Sequence, residues 1–256
     1  MSAVEKMQST SVRDQVSEEE WQTRVDLAAT YRLIAHYGWD DLIYTHLSAR
    51  VPGPEHHFLL NPYGMTFDEI TASSLVKIDL DGKIVMDSPY GVNAAGFTIH
   101  SAVHAEGKDA NCVIHTHSYD GVAVSAQAEG LLPLSQTAMV LREDMAYHDY
   151  EGIALDLDER ERLVHDLGDK HSMILRNHGL LTTGATCADA FVRHFFLERA
   201  CTMQIRALSG GVELNMPNQG VPEKTAGQTK GMDGMGALPW PALLRKLDRM
   251  DASYRD

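Results

Sequence analysis

Two short apolar runs in this chain each stop at histidine, and that pairing restricts the fold more than any other feature. Asn111-Cys112-Val113-Ile114 is closed by His115-Thr116-His117, and Ser172-Met173-Ile174-Leu175-Arg176 is followed directly by Asn177-His178-Gly179. Both runs read as short, β-rich, buried strands. Residues i and i+2 of a strand share a face, so His115 and His117 can grip one ion, and His178 can add a third nitrogen from a neighbouring strand. Three protein ligands leave coordination positions open for a substrate, which is the arrangement of a catalytic site; structural sites are usually closed by four. The spacing by itself is weak. The chain holds 13 histidines, so chance His-x-His pairs are common, and isolated histidines are more often satisfied by hydrogen bonds than by metal.

A chain of 256 residues that is 44% hydrophobic and 23% charged can bury one proper core, so one globular domain is expected. Lys and Arg total 22 against 36 Asp and Glu, a formal charge of −14, with no basic stripe. That sign argues against a nucleic-acid partner. No run approaches the ~20 apolar residues of a membrane helix, and Met1 to Gln15 has no apolar signal core, so a cytoplasmic protein without membrane contact is expected. Cys112, Cys187 and Cys201 are odd in number and lack Cys-x-x-Cys spacing. They imply neither a disulfide framework nor a zinc ribbon.

Residues 1–16 are polar and unpatterned and read as a flexible segment. Ser17-Glu18-Glu19-Glu20 predicts a reciprocal capping box and a helix to His36 or Tyr37, stopped by Gly38. β-like pieces follow at 42–51, 57–60, 75–80 and 83–85, the last two around the hairpin signal Asp81-Gly82. Residues 95–106 read as a helix that sets His100 and His104 one turn apart on one face. Further helices are expected at 120–128, 158–167 and 186–208, the last capped by Thr186 and Asp189. Residues 211–238 read as an irregular stretch and 240–254 as a terminal helix, so 211–256 is expected to be a C-terminal arm that can reach a neighbouring subunit's site. Alternating strands and helices with frequent hairpins predict an α/β domain with a partly antiparallel sheet and helices on both faces.

Several motifs in order resemble the class II aldolase/adducin superfamily, nearest its adducin-head-like branch. They are Gly38-Trp39, Thr45-His46-Leu47-Ser48-Ala49-Arg50, Asn61-Pro62-Tyr63-Gly64, Ile70 to Lys77, His115-Thr116-His117, Ala146 to Tyr150, and Arg176-Asn177-His178-Gly179. The resemblance implies a three-layer α/β/α fold over residues 17–210 with a mixed, largely antiparallel sheet, and a homotetramer with intersubunit sites. It also implies one divalent ion per subunit, zinc or manganese, on His115, His117 and His178. Departures from the pattern are as telling. The family's sugar-phosphate aldolases carry a Ser-Ser-Glu segment whose glutamate is the acid/base; here its place falls on Ala94-Ala95-Gly96, nineteen residues ahead of His115. The phosphate-binding Gly-Asn is replaced by Thr45-His46. The tyrosine that some members place after the His-x-His helix aligns near Gln136 or Thr137.

A phosphorylated sugar is therefore not the expected substrate. The pattern fits a lyase of decarboxylase or aldolase type, acting on a small hydroxy, keto or dihydroxy-aromatic carboxylic acid through an enolate that the ion stabilises. With the glutamate gone, His100 is the first candidate proton donor and Tyr150 another, with Tyr147 and His148 beside it. Tyr63, Gly96 and Gln136 are candidate pocket residues. His104 can equally pack its helix on the sheet and bond a backbone carbonyl, Arg176 can meet a substrate carboxylate or form a structural pair, and Glu143 and Glu198 read as surface or interface charges. Two alternatives stay open: non-haem ferrous-iron oxygen chemistry on the same three histidines, and a non-catalytic scaffold like the adducin head.

Overall fold

The computed structural model describes residues 11–107, 109–152, 158–229 and 234–256, with only the backbone of 94–98. Of the segment expected to be loose, residues 1–10 lie outside the described residues, and α1 (Val12–Gln15) is a single turn. The order continues α2 (Glu18–Tyr37), β1 (His46–Arg50), β2 (Phe58–Leu60), β3 (Val76–Ile78), α3 (Ala94–Glu106), β4 (Cys112–Thr116) and α4 (Tyr119–Ser125). Then come α5 (Gln136–Leu141), β5 (Met145–His148), α6 (Glu159–Leu167), β6 (Ser172–Leu175), β7 (Gly179–Gly184), α7 (Cys187–Ser209), α8 (Val221–Gln228) and α9 (Pro239–Met250). No helix among the described residues is long and apolar enough to cross a membrane.

The strands form one sheet in the order β3-β2-β1-β4-β7-β6-β5, antiparallel throughout except for the β5–β6 pair. Period-two alternation divides its side chains between two faces. Leu47, Ala49, Cys112 and Ile114 face α2, α7 and α9, and Ile174 and Leu180 on the same side meet α4, α5 and α7. Val113, Met173, Leu175 and Leu181 face α3 and α6 on the other side. The three-layer α/β/α expectation is what the chain adopts, with helices on both faces of a mixed sheet.

Local signals explain most element ends. Ser17 Oγ accepts from the Glu20 amide at 3.1 Å, and α2 ends at Gly38, whose φ of 71° suits a residue without Cβ. The other half of the expected capping box is not made: Glu20 turns inward, taking Arg24 Nε at 3.0 Å and Lys77 Nζ at 2.7 Å. A buried cation outcompetes a solvated backbone N–H for that carboxylate. The expected strand from residue 42 begins only at His46, because Leu42 and Thr45 have φ of 52° and 61°. Residues 83–85 contribute one bridge, Ile78 to Ile84, and no strand. Helix α8 arises inside the stretch expected to be irregular, α5 forms where no element was expected, and β5 is the edge strand carrying Tyr147 and His148.

Strand directions gather one set of loops at one end of the sheet. The start of β1, the ends of β2, β4 and β5, and the β6–β7 turn all lie there. Tyr31 of α2 fastens part of this end: its hydroxyl bonds Leu47 O at 2.5 Å and receives the amides of Leu47 and Asn61. At the C-terminus, Trp240, Leu247 and Tyr254 are buried in the core of their own chain, and the Ala72 and Ser73 amides bond the Tyr254 and Asp256 carbonyls.

Candidate metal centre

His115 is a residue of β4, His117 lies one residue beyond that strand, and His178 sits in the tight β6–β7 turn. The turn brings His178 in through two backbone features. Asn177 has φ 56°, a left-handed conformation that asparagine tolerates better than most residues. Gly179 then passes so close to β4 that a Cβ there would stand 2.2 Å from Thr116 O and 3.3 Å from the His117 ring. Only glycine permits that approach, and it presses His178 against its partners.

The three rings have centroids 4.8 to 4.9 Å apart, and one nitrogen from each falls within 4.8 Å of the others. His115 Nδ1 donates to Leu180 O at 2.9 Å, and His117 Nδ1 faces Asp41 Oδ2 at 3.0 Å. Their Nε2 atoms are thereby turned toward each other, 3.1 Å apart. Two nitrogens bonded at about 2.0–2.1 Å to a tetrahedral ion stand roughly 3.3 Å apart, so the donor set fits a divalent cation. Burial, with His178 and His117 beside it, holds His115 well below the ordinary imidazole value, and burial beside His117 pulls His178 down to about 4. Both are then neutral near pH 7, the form that binds metal. Asp41 was not singled out in the sequence; a carboxylate on the far nitrogen of a ligand histidine orients the ring and raises its basicity.

A second histidine group lies next to the first on the same sheet face. His46 pairs with His115 in the β1–β4 ladder, with ring centroids 6.1 Å apart, and it packs at 4.1 Å on His100 of α3. Ser48 Oγ lies 2.6 Å from both His100 Nδ1 and His104 Nε2, and His104 Nδ1 lies 2.6 Å from Ala110 O. A carbonyl only accepts, so His104 carries its proton on Nδ1 and its Nε2 takes the Ser48 hydroxyl proton. Ser48 can then only accept from His100, whose proton is on Nδ1. His100 Nε2, buried and without a hydrogen-bond partner among the described residues, keeps its lone pair. At rest the ring offers an acceptor, and it can donate only after taking up a proton. His104 thus bonds a backbone carbonyl and packs its helix on the sheet.

The remaining candidates are spread more widely. Tyr150, half exposed, has its ring centroid 6.0 Å from that of His178. Tyr63 follows β2 at the same end of the sheet, half exposed, its amide bonded to Gly91 O. Gly96 lies in the first turn of α3, among the residues described by backbone alone. Gln136 is exposed at the start of α5, which packs on α7 and α8, and no described contact joins it to the histidines. Tyr147 and His148 are engaged elsewhere, Tyr147 under the Arg176 guanidinium at 4.5 Å and His148 Nδ1 on Asp166 at 2.8 Å. Arg176 itself bonds the Gln127 and Ala128 carbonyls. Glu198 corrects an expectation: read as a surface or interface charge, it is 1% exposed, buried behind β4 within its own chain.

Comparison with known proteins agrees with this geometry. The family model described as Class II Aldolase and Adducin N-terminal domain matches residues 25–205. A Caulobacter vibrioides protein named only at the level of aldolase class 2 is 58% identical over 96% of both chains. Mouse alpha-adducin is 42% identical over 89% of this chain, which spans 33% of the adducin. Among solved structures, an aldolase II superfamily protein from Pseudomonas syringae superposes with a TM-score of 0.92 at 55% identity, covering 96% of this chain and all of that one. L-fuculose 1-phosphate aldolase from Glaciozyma antarctica superposes with a TM-score of 0.82 at 26% identity over 93% of each.

Proposed function

Since the chain belongs to the class II aldolase and adducin N-terminal domain family, we propose that it is a divalent-metal-dependent carbon–carbon lyase. Its substrate on this reading is a small, non-phosphorylated hydroxy, keto or dihydroxy-aromatic carboxylic acid, cleaved by a decarboxylase or aldolase reaction. The observation that carries the reading is the convergence of His115, His117 and His178, with the far nitrogens of two of them already engaged by Leu180 O and Asp41. When bound, a zinc, manganese or ferrous ion supplies Lewis acidity toward the paired oxygens of such an acid.

The chain's own residues supply the rest. Tyr150 can orient the substrate or move a proton beside His178, and His100, whose Nε2 keeps its lone pair, is the proposed proton acceptor in place of the family's glutamate. Loss of that glutamate costs proton-transfer steps, which a placed acid/base typically speeds by about 10²–10⁴-fold; release of carbon dioxide abstracts no proton from carbon. A phosphate group finds less to hold it, because Thr45-His46 and Ala94-Ala95-Gly96 replace the family's phosphate and acid/base segments, and the His46 ring is packed on His100. Tyr63 and Gly96 are the proposed pocket wall at this end of the sheet, with Gln136 reaching it only from another subunit.

The test is metal analysis of protein purified without oxygen, followed by assays of hydroxy acids, keto acids and dihydroxybenzoates for carbon dioxide or aldehyde release. Stoichiometric zinc or manganese with turnover that His178→Ala abolishes is the expected outcome. Iron with substrate-dependent oxygen consumption would replace the lyase by an oxygenase. Folded protein that binds no ion would leave the non-catalytic role to which the adducin likeness points.

A further inference from the structure

His117 stands one residue past the last ladder pair of β4, Thr116 with Leu180. The sheet therefore does not fix its backbone, yet an ion site needs that ring held closely. The residues on either side of it are tied to one carboxylate. Thr116 Oγ1 donates to Glu198 Oε1 at 3.1 Å, and Ser118 Oγ donates to Glu198 Oε2 at 2.8 Å. Thr116 faces away from His115, as alternation along a strand requires, so the clamp grips β4 from the layer opposite the ring it adjoins. His194, one turn before Glu198 on α7, lies 2.9 Å from Thr116 Oγ1 through Nε2. Because that hydroxyl's proton is committed to Glu198, His194 Nε2 must carry the hydrogen and donate.

We propose that Glu198 is a positioning residue for the candidate metal ligands: each of its two oxygens takes a hydroxyl proton from a residue flanking His117, fixing the backbone that presents the ring to the ion. The inference rests on the metal reading above and adds a dependence of ion affinity on a side chain that touches neither ion nor ligand. The carboxylate also lies 3.4 Å from His194 Nε2, but that contact alone does not call for a buried charge, because apolar side chains of similar volume commonly serve stability as well as or better than a buried charged pair. Here both oxygens are matched to the two positions that bracket one ligand.

The experiment compares zinc affinity, by competition with a chromophoric chelator, and thermal unfolding of the metal-free protein in Glu198→Gln, Glu198→Asp and Thr182→Val. Glutamine keeps the shape but offers one accepting oxygen, and aspartate keeps the charge but falls short of spanning both hydroxyls. Thr182 lies on the other side of His194, 3.1 Å from Nδ1, so its loss perturbs the same buried network without touching Thr116 or Ser118. Zinc affinity is expected to fall about 10- to 100-fold in both Glu198 variants and to hold in Thr182→Val even where its unfolding temperature drops. Undiminished affinity in the Glu198 variants, or an equal loss in Thr182→Val, overturns the proposal. If Glu198 variants do not fold, Ser118→Ala removes one half of the clamp and is judged by the same criterion. A wild-type chain that stays folded and binds no zinc, manganese or iron overturns the metal reading instead, so the two failures are distinguishable.

Discussion

Asp41 and the Leu180 carbonyl decide which nitrogens of His117 and His115 are left for an ion, and the two are not equivalent. Leu180 O is backbone and fixed by the β4–β7 ladder, whereas Asp41 is a part-exposed side chain that adds negative charge. Asp41→Asn keeps a partner for His117 Nδ1 and removes the charge, so metal affinity should fall by about 10-fold with little change in stability of the metal-free protein; chelator competition beside urea unfolding checks both halves. His104 carries a pH dependence of its own. Burial lowers it to about 4 from an ordinary 6.5, so between those values the unfolded chain binds the extra proton and the folded chain does not. Stability contributed here is whole above the upper value and is lost as pH falls toward the lower, about 3 kcal/mol in all. His104→Asn can keep the donor to Ala110 O and has no proton to take up. Its urea midpoint should therefore fall less than wild type's between pH 7 and pH 4.5, and equal falls would contradict the assignment.

Helix α9 shows how an element at the chain's end becomes part of the core. Trp240 sits near Phe191 with ring centroids 6.2 Å apart, and its Nε1 donates to Asp26 of α2 at 3.0 Å, while Arg32 of α2 meets Asp251. Trp240→Ala should cost about 3–5 kcal/mol, the range for deleting a buried aromatic, measured as a lowered denaturant midpoint with an unchanged slope. Helices were the legible elements where their ends carry chemistry: Ser17 and Gly38 bound α2, and Thr186 caps α7 by accepting the Asp189 amide. Helix α8 was hidden by Pro222 and Gly227, which read as breakers although Pro222 falls in the first turn, where its missing N–H costs nothing and packing against α5 carries Gly227, and β5 by its four-residue length at a sheet edge. The three histidines could be read because strand periodicity and motif order both point at them. Asp41 and Glu198 could not, since their partners lie 76 and 80 or more residues away in the chain and only the folded sheet joins them.

At the scale of the molecule, the end of the sheet that carries the histidines is also where large side chains are left uncovered. Tyr119, two residues beyond His117, is 94% exposed and Leu42 69%, and Tyr44, Tyr63 and Tyr150 around the same loops are about half exposed. Single exposed apolar groups need no explanation, but five at one end, around a site that contains buried polar groups, make this the face on which an assembly is to be tested. A second copy is the covering that family membership suggests, and it would also bring residues such as Gln136 within reach of a site that their own chain does not approach. The formal charge of −14 opposes self-association, so contact must come from apolar and aromatic burial and should tighten with salt. Light scattering on the purified protein is therefore expected to show an oligomer, and Tyr119→Glu to shift it toward monomer while the circular dichroism spectrum stays as in wild type. A wild-type monomer at micromolar concentration in 0.3 M salt would overturn the assembly and leave the metal centre as a site open on one side, to be judged by its ion affinity alone.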